Sequence, residues 1–141
     1  MRIVADTSAV LSLIDADDAH HEAVLDLWQQ SSDAWVIPWA VLPEVDYLLR
    51  RHVNATAARL FLDDVCSGAF VVEHSERTDL LRARDLDARH ADLGLGVVDG
   101  VVAAIAERLR ASAIATLDVR HFSVLELAGT PALYPRDGAI A

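Results

Sequence analysis

Residues 1–14 read MRIVADTSAVLSLI, and this stretch decides the fold class. Its first five residues are mostly apolar and end at Asp6, which predicts a short strand buried inside a sheet. Ser8 predicts the N-terminal cap of a helix over 9–14, because its hydroxyl can accept a hydrogen bond from an unpaired backbone N–H. A buried strand followed at once by a helix predicts the opening of an α/β sheet.

The alternation of strand and helix patterns continues along the rest of the chain. Further strands are predicted at 34–37, 69–72, 113–116 and 132–134, the last as a short edge strand. Further helices are predicted at 20–29, 41–51, 56–66, 77–90 and 99–110. This order predicts one α/β domain with a mostly parallel sheet and helices on both of its faces.

The composition favours a single cytoplasmic domain. A chain of 141 residues has room for one hydrophobic core and little more. Acidic residues interrupt every apolar run before it reaches the ~20 residues of a membrane span, and the first six residues lack the features of a signal peptide. The single cysteine, Cys66, excludes an internal disulfide and a zinc cluster of several cysteines.

The charge balance narrows the function classes. The net charge is −10, and all 12 basic residues are Arg. The lack of Lys argues against Schiff-base chemistry and against a phosphate-binding loop that ends in Gly-Lys-Ser or Gly-Lys-Thr. The acidic surplus argues against non-specific coating of nucleic acid. It does not exclude a nuclease, because carboxylates gathered around divalent cations make the metal-free protein more acidic.

Four acidic residues stand where a site in such a sheet would form. Asp6 follows the first strand and Asp118 follows the strand at 113–116. If these strands are parallel neighbours, both acids emerge at the sheet edge where open α/β sheets bind ligands. Asp99 and Glu44 lie in the first turns of their helices, where the helix dipole favours an acid. Each acid alone has an ordinary explanation as a cap, a turn residue or a dipole partner.

Taken together, these motifs resemble the PIN-domain family. The matching features are Asp-Thr-Ser at Asp6 to Ser8, Glu44 in its helix, Asp99 opening an Ala-rich helix, and Thr-x-Asp-x-x-x-Phe from Thr116 to Phe122. Their order and spacing agree with the family from Ile3 to about Tyr134. The stretch from Ala115 to Phe122 is similar to that of VapC-type toxins.

The resemblance implies a Rossmann-like three-layer α/β/α sandwich, with residues 1–141 as a single PIN domain. It implies a pocket for Mg²⁺ or Mn²⁺, with Ser8 and Thr116 as supporting hydroxyls. The residues carried over as metal ligands and catalytic groups are Asp6, Glu44, Asp99 and Asp118. One departure is Gly100, where relatives often have Ala, and Gly costs a helix up to ~1 kcal/mol.

The activity that the resemblance implies is that of an endoribonuclease toxin of a type II toxin–antitoxin system. Water activated by the cation would cleave phosphodiester bonds of transfer RNA or ribosomal RNA, and translation would stop. The implied partners are a cognate VapB-type antitoxin, the RNA substrate and a second copy of the chain in a homodimer. The sequence itself leaves the choice of RNA, the cation and the oligomeric state open.

Other interpretations stay open at this point. Arg120 and His121, beside Asp118, are candidate RNA contacts, although a surface ion pair or loop packing explains them as well. A catalytically idle PIN module that binds RNA or a protein is the second function, and the complete set of acids argues against it. A phosphohydrolase with Asp6 as nucleophile would need a second Asp where Ser8 stands. A dinucleotide-binding module would need a Gly-rich loop after the first strand.

Overall fold

The computed structural model describes residues 1–138, and the last three residues of the expected 1–141 domain lie outside this range. The strands are β1 (Arg2–Ala5), β2 (Ala34–Pro38), β3 (Val71–Glu73), β4 (Ala113–Ala115) and β5 (Ala132–Tyr134). The helices are α1 (Thr7–Ile14), α2 (His21–Gln30), α3 (Val41–His52), α4 (Ala55–Cys66), α5 (Arg77–Arg89), α6 (Gly96–Arg108) and α7 (Val119–Phe122). A 3₁₀ turn at Ala91–Leu93 precedes α6.

The five strands form one parallel sheet in the order β3-β2-β1-β4-β5. In β1, Ile3 is paired with Trp35 of β2 on one side and with Ala113 of β4 on the other. The chain therefore moves outward from β1 to β3, returns across the sheet, and moves outward again to β5. Because such crossovers are right-handed, the two directions place helices on opposite faces. The result is the expected three-layer α/β/α sandwich.

The core forms around β1 and α6. Ile3, Val4 and Ala5 are fully buried, as a central parallel strand covered on both faces requires. Residues 100–106 of α6 are all buried as well, which explains why this helix is apolar around its whole circumference. No helix among residues 1–138 is long and apolar enough to cross a lipid bilayer.

Several predicted boundaries were wrong by a few residues. Asp6, not Ser8, caps α1, since its side chain accepts a hydrogen bond from the backbone N–H of Thr7. Helix α6 begins at Gly96, three residues before Asp99, and Gly96 has the positive φ of 77° that only glycine adopts readily. The sequence analysis did not predict α7, a single turn that the side chain of Asp118 caps.

Gly100 is explained by the close approach of α5 and α6. A Cβ at this position would lie 2.8 Å from the Cβ of Ala83 and 3.1 Å from its Cα. The glycine therefore does not merely loosen the start of α6, as its helix propensity suggested. It lets two helices pack more closely than any other residue would allow.

Replacing Gly100 by Ala should destabilise the protein by about 1 kcal/mol, because overpacking of about 1–3 kcal/mol exceeds the gain in helix propensity. Urea unfolding of the metal-free protein measures the difference. The double variant Gly100→Ala with Ala83→Gly is the matched control, since it removes the clashing Cβ, and the two substitutions should be favourably coupled. A Gly100→Ala protein more stable than the wild type would contradict this explanation.

Arg108, at the end of α6, joins three elements by charged hydrogen bonds. Its guanidinium donates to the carboxylate of Asp79 at 3.0 and 3.1 Å and to Glu73 at 2.9 Å. Asp79 is only 2% exposed, and it also accepts a hydrogen bond from the backbone N–H of Glu76 as part of a capping box. Arg108 therefore supplies the charge that a buried carboxylate needs, and it ties α6 to α5 and to the end of β3.

The three tryptophans divide into two kinds. Trp28 and Trp35 pack edge to face at 5.2 Å, and Trp28 also packs against Phe70. Trp39 is 53% exposed and stacks on His74 at 5.4 Å. Cys66, the last residue of α4, is exposed.

Candidate active site

Asp6 and Thr116 meet because β1 and β4 are parallel neighbours. Ala5 is paired with Ala115, so the residues that follow them emerge side by side at the carboxyl edge of the sheet. The hydroxyl of Thr116 donates to Oδ2 of Asp6 at 2.8 Å. This confirms the sequence-based condition that the strands preceding Asp6 and Asp118 are adjacent. The edge lies where the two halves of the sheet diverge, which is the usual ligand site of an open parallel sheet.

Hydrogen bonds hold the carboxylate of Asp6 in one orientation. Oδ1 accepts from the backbone N–H of Thr7 at 2.8 Å, and Oδ2 accepts from the hydroxyl of Ser8 at 3.1 Å as well as from Thr116. The oxygen of Ser8 also accepts from the backbone N–H of Leu117 at 2.9 Å. Ser8 and Thr116 thus link the end of β1 to the end of β4.

Asp6 carries a charge that its surroundings do not fully compensate. Burial and, to a smaller extent, the negative charge of Asp99 raise its pKa to about 6, because the hydrogen bonds from Thr116, Thr7 and Ser8 only partly oppose them. Asp6 is 3% exposed. A buried carboxylate with a second carboxylate beside it is stabilised by a cation, so the site favours a positively charged ligand.

Asp99 lies in the first turn of α6 and is partly buried. Burial raises its pKa, and the nearby charges of Asp118 and Glu44 raise it further, whereas a hydrogen bond with His121 lowers it. The effect on Asp99 shows that the acids contributed by α3, α6 and the end of β4 act on one another. Glu44 itself is half-buried in the first turn of α3.

Asp118 and His121 face Asp99 from the short helix α7. Oδ1 of Asp118 accepts from the backbone N–H of His121 at 3.3 Å. Nδ1 of the same histidine lies 3.0 Å from Oδ2 of Asp118 and 2.6 Å from Oδ2 of Asp99. Sequence reasoning named His121 as a candidate RNA contact and did not place it among the carboxylates. Its spacing of three residues from Asp118 on a helical turn was the signal available.

The structure therefore brings some predicted residues closer together than others. Ligand atoms of Asp99, Asp118 and His121 all lie within 4.8 Å of one another. Asp6 and Glu44 are close enough to interact electrostatically with Asp99, since the charge of Asp99 raises the pKa of Asp6 and the charge of Glu44 raises the pKa of Asp99. Arg120 is exposed on α7 beside them. Carboxylate oxygens are the donors that Mg²⁺ and Mn²⁺ prefer, so the residues present fit a divalent cation.

This site and fold define the class of protein. The sequence model of the PIN domain matches residues 3–126, and the chain belongs to the PIN-domain family. Ribonuclease VapC26 of Mycobacterium tuberculosis is 32% identical over 127 residues, which cover 90% of this chain and 94% of that protein.

Two solved structures show the same fold. The VapC20 toxin of Mycobacterium tuberculosis, which cleaves the sarcin–ricin loop, matches with a TM-score of 0.73 at 26% identity, over 79% of this chain and 86% of that one. DNA-bound VapBC of Salmonella typhimurium matches with a TM-score of 0.67 at 17% identity, over 94% of this chain and 96% of that one. The second likeness concerns the fold alone.

Proposed function

We propose that this protein is a metal-dependent endoribonuclease and the toxin of a type II toxin–antitoxin pair. The observation that carries the proposal is the meeting of Asp6, Asp99 and Asp118 at the carboxyl edge between β1 and β4. The similarity to Ribonuclease VapC26 over 90% of the chain and to a toxin that cleaves the sarcin–ricin loop supports RNA as the substrate. Such an enzyme works in the cytoplasm, where it stops translation.

The acids would hold a divalent cation at the scissile phosphate. When bound, the cation supplies positive charge to the phosphate oxygens and activates water for attack. One carboxylate oxygen of Asp99 and one of Asp118 lie next to Nδ1 of His121. Asp6, which follows β1, and Glu44 of α3 would complete the site. Ser8 and Thr116 orient Asp6, and the exposed Arg120 would contact an RNA phosphate with its fork of donors.

The deciding experiment incubates the purified protein, free of any antitoxin, with total cellular RNA in Mg²⁺, in Mn²⁺ or in EDTA. The Asp99→Asn protein is the matched control, since it removes one charge without changing the shape of the side chain. Discrete fragments that need the cation and disappear in the control would support the proposal. Mapping their ends on transfer RNA and on the sarcin–ricin loop of ribosomal RNA would name the target.

The alternative of an idle module that binds RNA or a protein predicts a different result. It would give no cleavage with any cation while RNA or a protein partner still binds. Asp6 argues against it, because a buried carboxylate with a raised pKa serves no purpose in a module that has lost its cation. Retained RNA binding by a folded protein that cleaves nothing would favour the idle module.

We also propose a groove between α3 and α4 as the binding site of an antitoxin segment. The groove measures about 350 Å³, and its apolar lining residues are Trp39, Leu42, Pro43, Phe61 and Leu62. The stripe Val41, Val45 and Leu49 of α3 is core and is not available. The net charge of −10 favours a partner segment that is amphipathic and carries basic residues.

Replacing Leu62 by Ala should weaken antitoxin binding by about tenfold, because Leu62 is 51% exposed in the groove and its side chain would lose the apolar contact with the bound segment. Leu60→Ala on the same helix is the matched control, since Leu60 is 58% exposed and outside the groove. Calorimetry with the protein encoded beside the toxin gene measures both. Equal antitoxin affinities of the two variants would show that the antitoxin does not bind in this groove.

We also propose that the protein forms a homodimer, as the family resemblance implies. Light scattering of the free protein and of its complex with the antitoxin would determine the number of copies in each. A monomer at concentrations where RNA is cleaved would show that the site needs no second copy.

A further inference from the structure

The ring of His121 lies inside the acidic cluster. Its Nδ1 is 2.6 Å from Oδ2 of Asp99 and 3.0 Å from Oδ2 of Asp118. These three atoms come from two separate segments, since Asp99 belongs to α6, whereas Asp118 caps α7 and His121 lies within it. The four acids that the family resemblance implies do not include a histidine.

The spacing of these atoms suits the coordination shell of one cation. Two ligands that bind an ion at right angles, each at about 2.1 Å, lie about 3 Å apart. The contacts of Nδ1 with both carboxylate oxygens are close to this separation. One ion can therefore contact all three atoms with small shifts of the side chains.

The backbone keeps the ring in this position. The N–H of His121 donates to Oδ1 of Asp118, and the N–H of Asp118 donates to the hydroxyl of Thr116 at 2.9 Å. Thr116 in turn donates to Asp6. The nitrogen is thus attached to the same hydrogen-bonded chain that orients the first carboxylate, and it is not on a free surface loop.

We propose that Nδ1 of His121 is a ligand of the catalytic cation, beside Asp99 and Asp118, and that this nitrogen makes the site prefer Mn²⁺ to Mg²⁺. Mg²⁺ takes oxygen ligands almost exclusively, whereas imidazole nitrogen binds transition-metal ions. A bound cation would take the place of the direct contact between Nδ1 and Asp99. The inference rests on the proposed function, because it concerns the cation of the same site.

The test uses His121→Asn, in which the side-chain oxygen can occupy the place of Nδ1. Calorimetry with Mn²⁺ and with Mg²⁺ should show that the variant loses affinity for Mn²⁺ by about tenfold or more and changes little toward Mg²⁺. Electron spin-echo spectroscopy of bound Mn²⁺ should show coupling to a ¹⁴N nucleus in the wild type and none in the variant. His52→Asn, at the exposed end of α3, is the matched control and should retain both the affinity and the coupling.

The outcomes separate this inference from the proposed function. Mn²⁺ bound without nitrogen coupling, or an equal loss of Mn²⁺ and Mg²⁺ affinity in His121→Asn, would overturn the ligand role while leaving a metal-dependent nuclease. Failure of the wild-type protein to bind either cation would overturn both. Thermal unfolding of metal-free His121→Asn, expected at the wild-type temperature within a few degrees, checks that the variant is folded.

Discussion

Replacing Asp6 by Asn should lower RNA cleavage by more than about 100-fold and at the same time make the metal-free protein more stable. Cleavage falls because the amide cannot supply the negative charge that holds the cation. Stability rises because burying the negatively charged carboxylate of Asp6 costs free energy in the folded protein. Its pKa of about 6 exceeds the ordinary value of 3.8, and this difference corresponds to at most about 3 kcal/mol at neutral pH.

The pH dependence of this gain has a definite sign. Because the pKa of Asp6 is higher in the folded protein than in the unfolded chain, its contribution to stability is present below pH 4 and lost as the pH rises through 6. The stability advantage of Asp6→Asn should therefore be large at pH 7.5 and small near pH 4. Urea unfolding in EDTA at several pH values measures it, with Asp26→Asn on the exposed side of α2 as the control.

A less stable Asp6→Asn protein at pH 7.5 would contradict this account. It would mean that the hydrogen bonds from Thr7, Ser8 and Thr116 outweigh the cost of burying the charge. Loss of cleavage together with a gain in stability would separate a functional role of Asp6 from a structural one.

Replacing Arg108 by Ala should destabilise the protein by about 3 kcal/mol, because the buried carboxylate of Asp79 then loses its counter-charge. The variant also frees Glu73, so the end of β3 loses its contact with α6. Urea unfolding measures the change, and Arg108→Met separates the loss of charge from the loss of packing, because Met keeps most of the side-chain stem without the charge.

Arg84→Ala is the matched control for Arg108. Arg84 lies on α5 and pairs with Asp85, and both side chains of this pair are more than half exposed. Exposed pairs contribute little, so its loss should leave the unfolding midpoint unchanged. Similar losses for the Arg84 and Arg108 variants would show that burial of Asp79 does not determine the effect.

Much of the fold could be predicted from local patterns. The alternation of strand and helix located all five strands, since a buried parallel strand such as 113–115 is a short apolar run between polar residues. The adjacency of β1 and β4 could be stated only as a condition, because strand order depends on contacts across the whole chain. The position of Asp6 and Asp118 relative to these strands then placed both acids at one edge.

The missed features depend on tertiary packing. The 2.6 Å contact of His121 with Asp99 requires both α7 and the N-terminal turn of α6, and neither sequence segment indicates the other. Gly100 seemed a weak point of its helix until Ala83 of α5 was found against it.

The order of the strands has a consequence for the newly made chain. β1 can pair with β2 as soon as residues 34–38 exist, but its other edge stays open until β4 has been synthesised. The hydrogen bond from Thr116 to Asp6 joins residues 110 positions apart, so it forms late. On the proposed function, the catalytic site would be complete only after β4 has been synthesised, so the growing chain would not cleave RNA before that point.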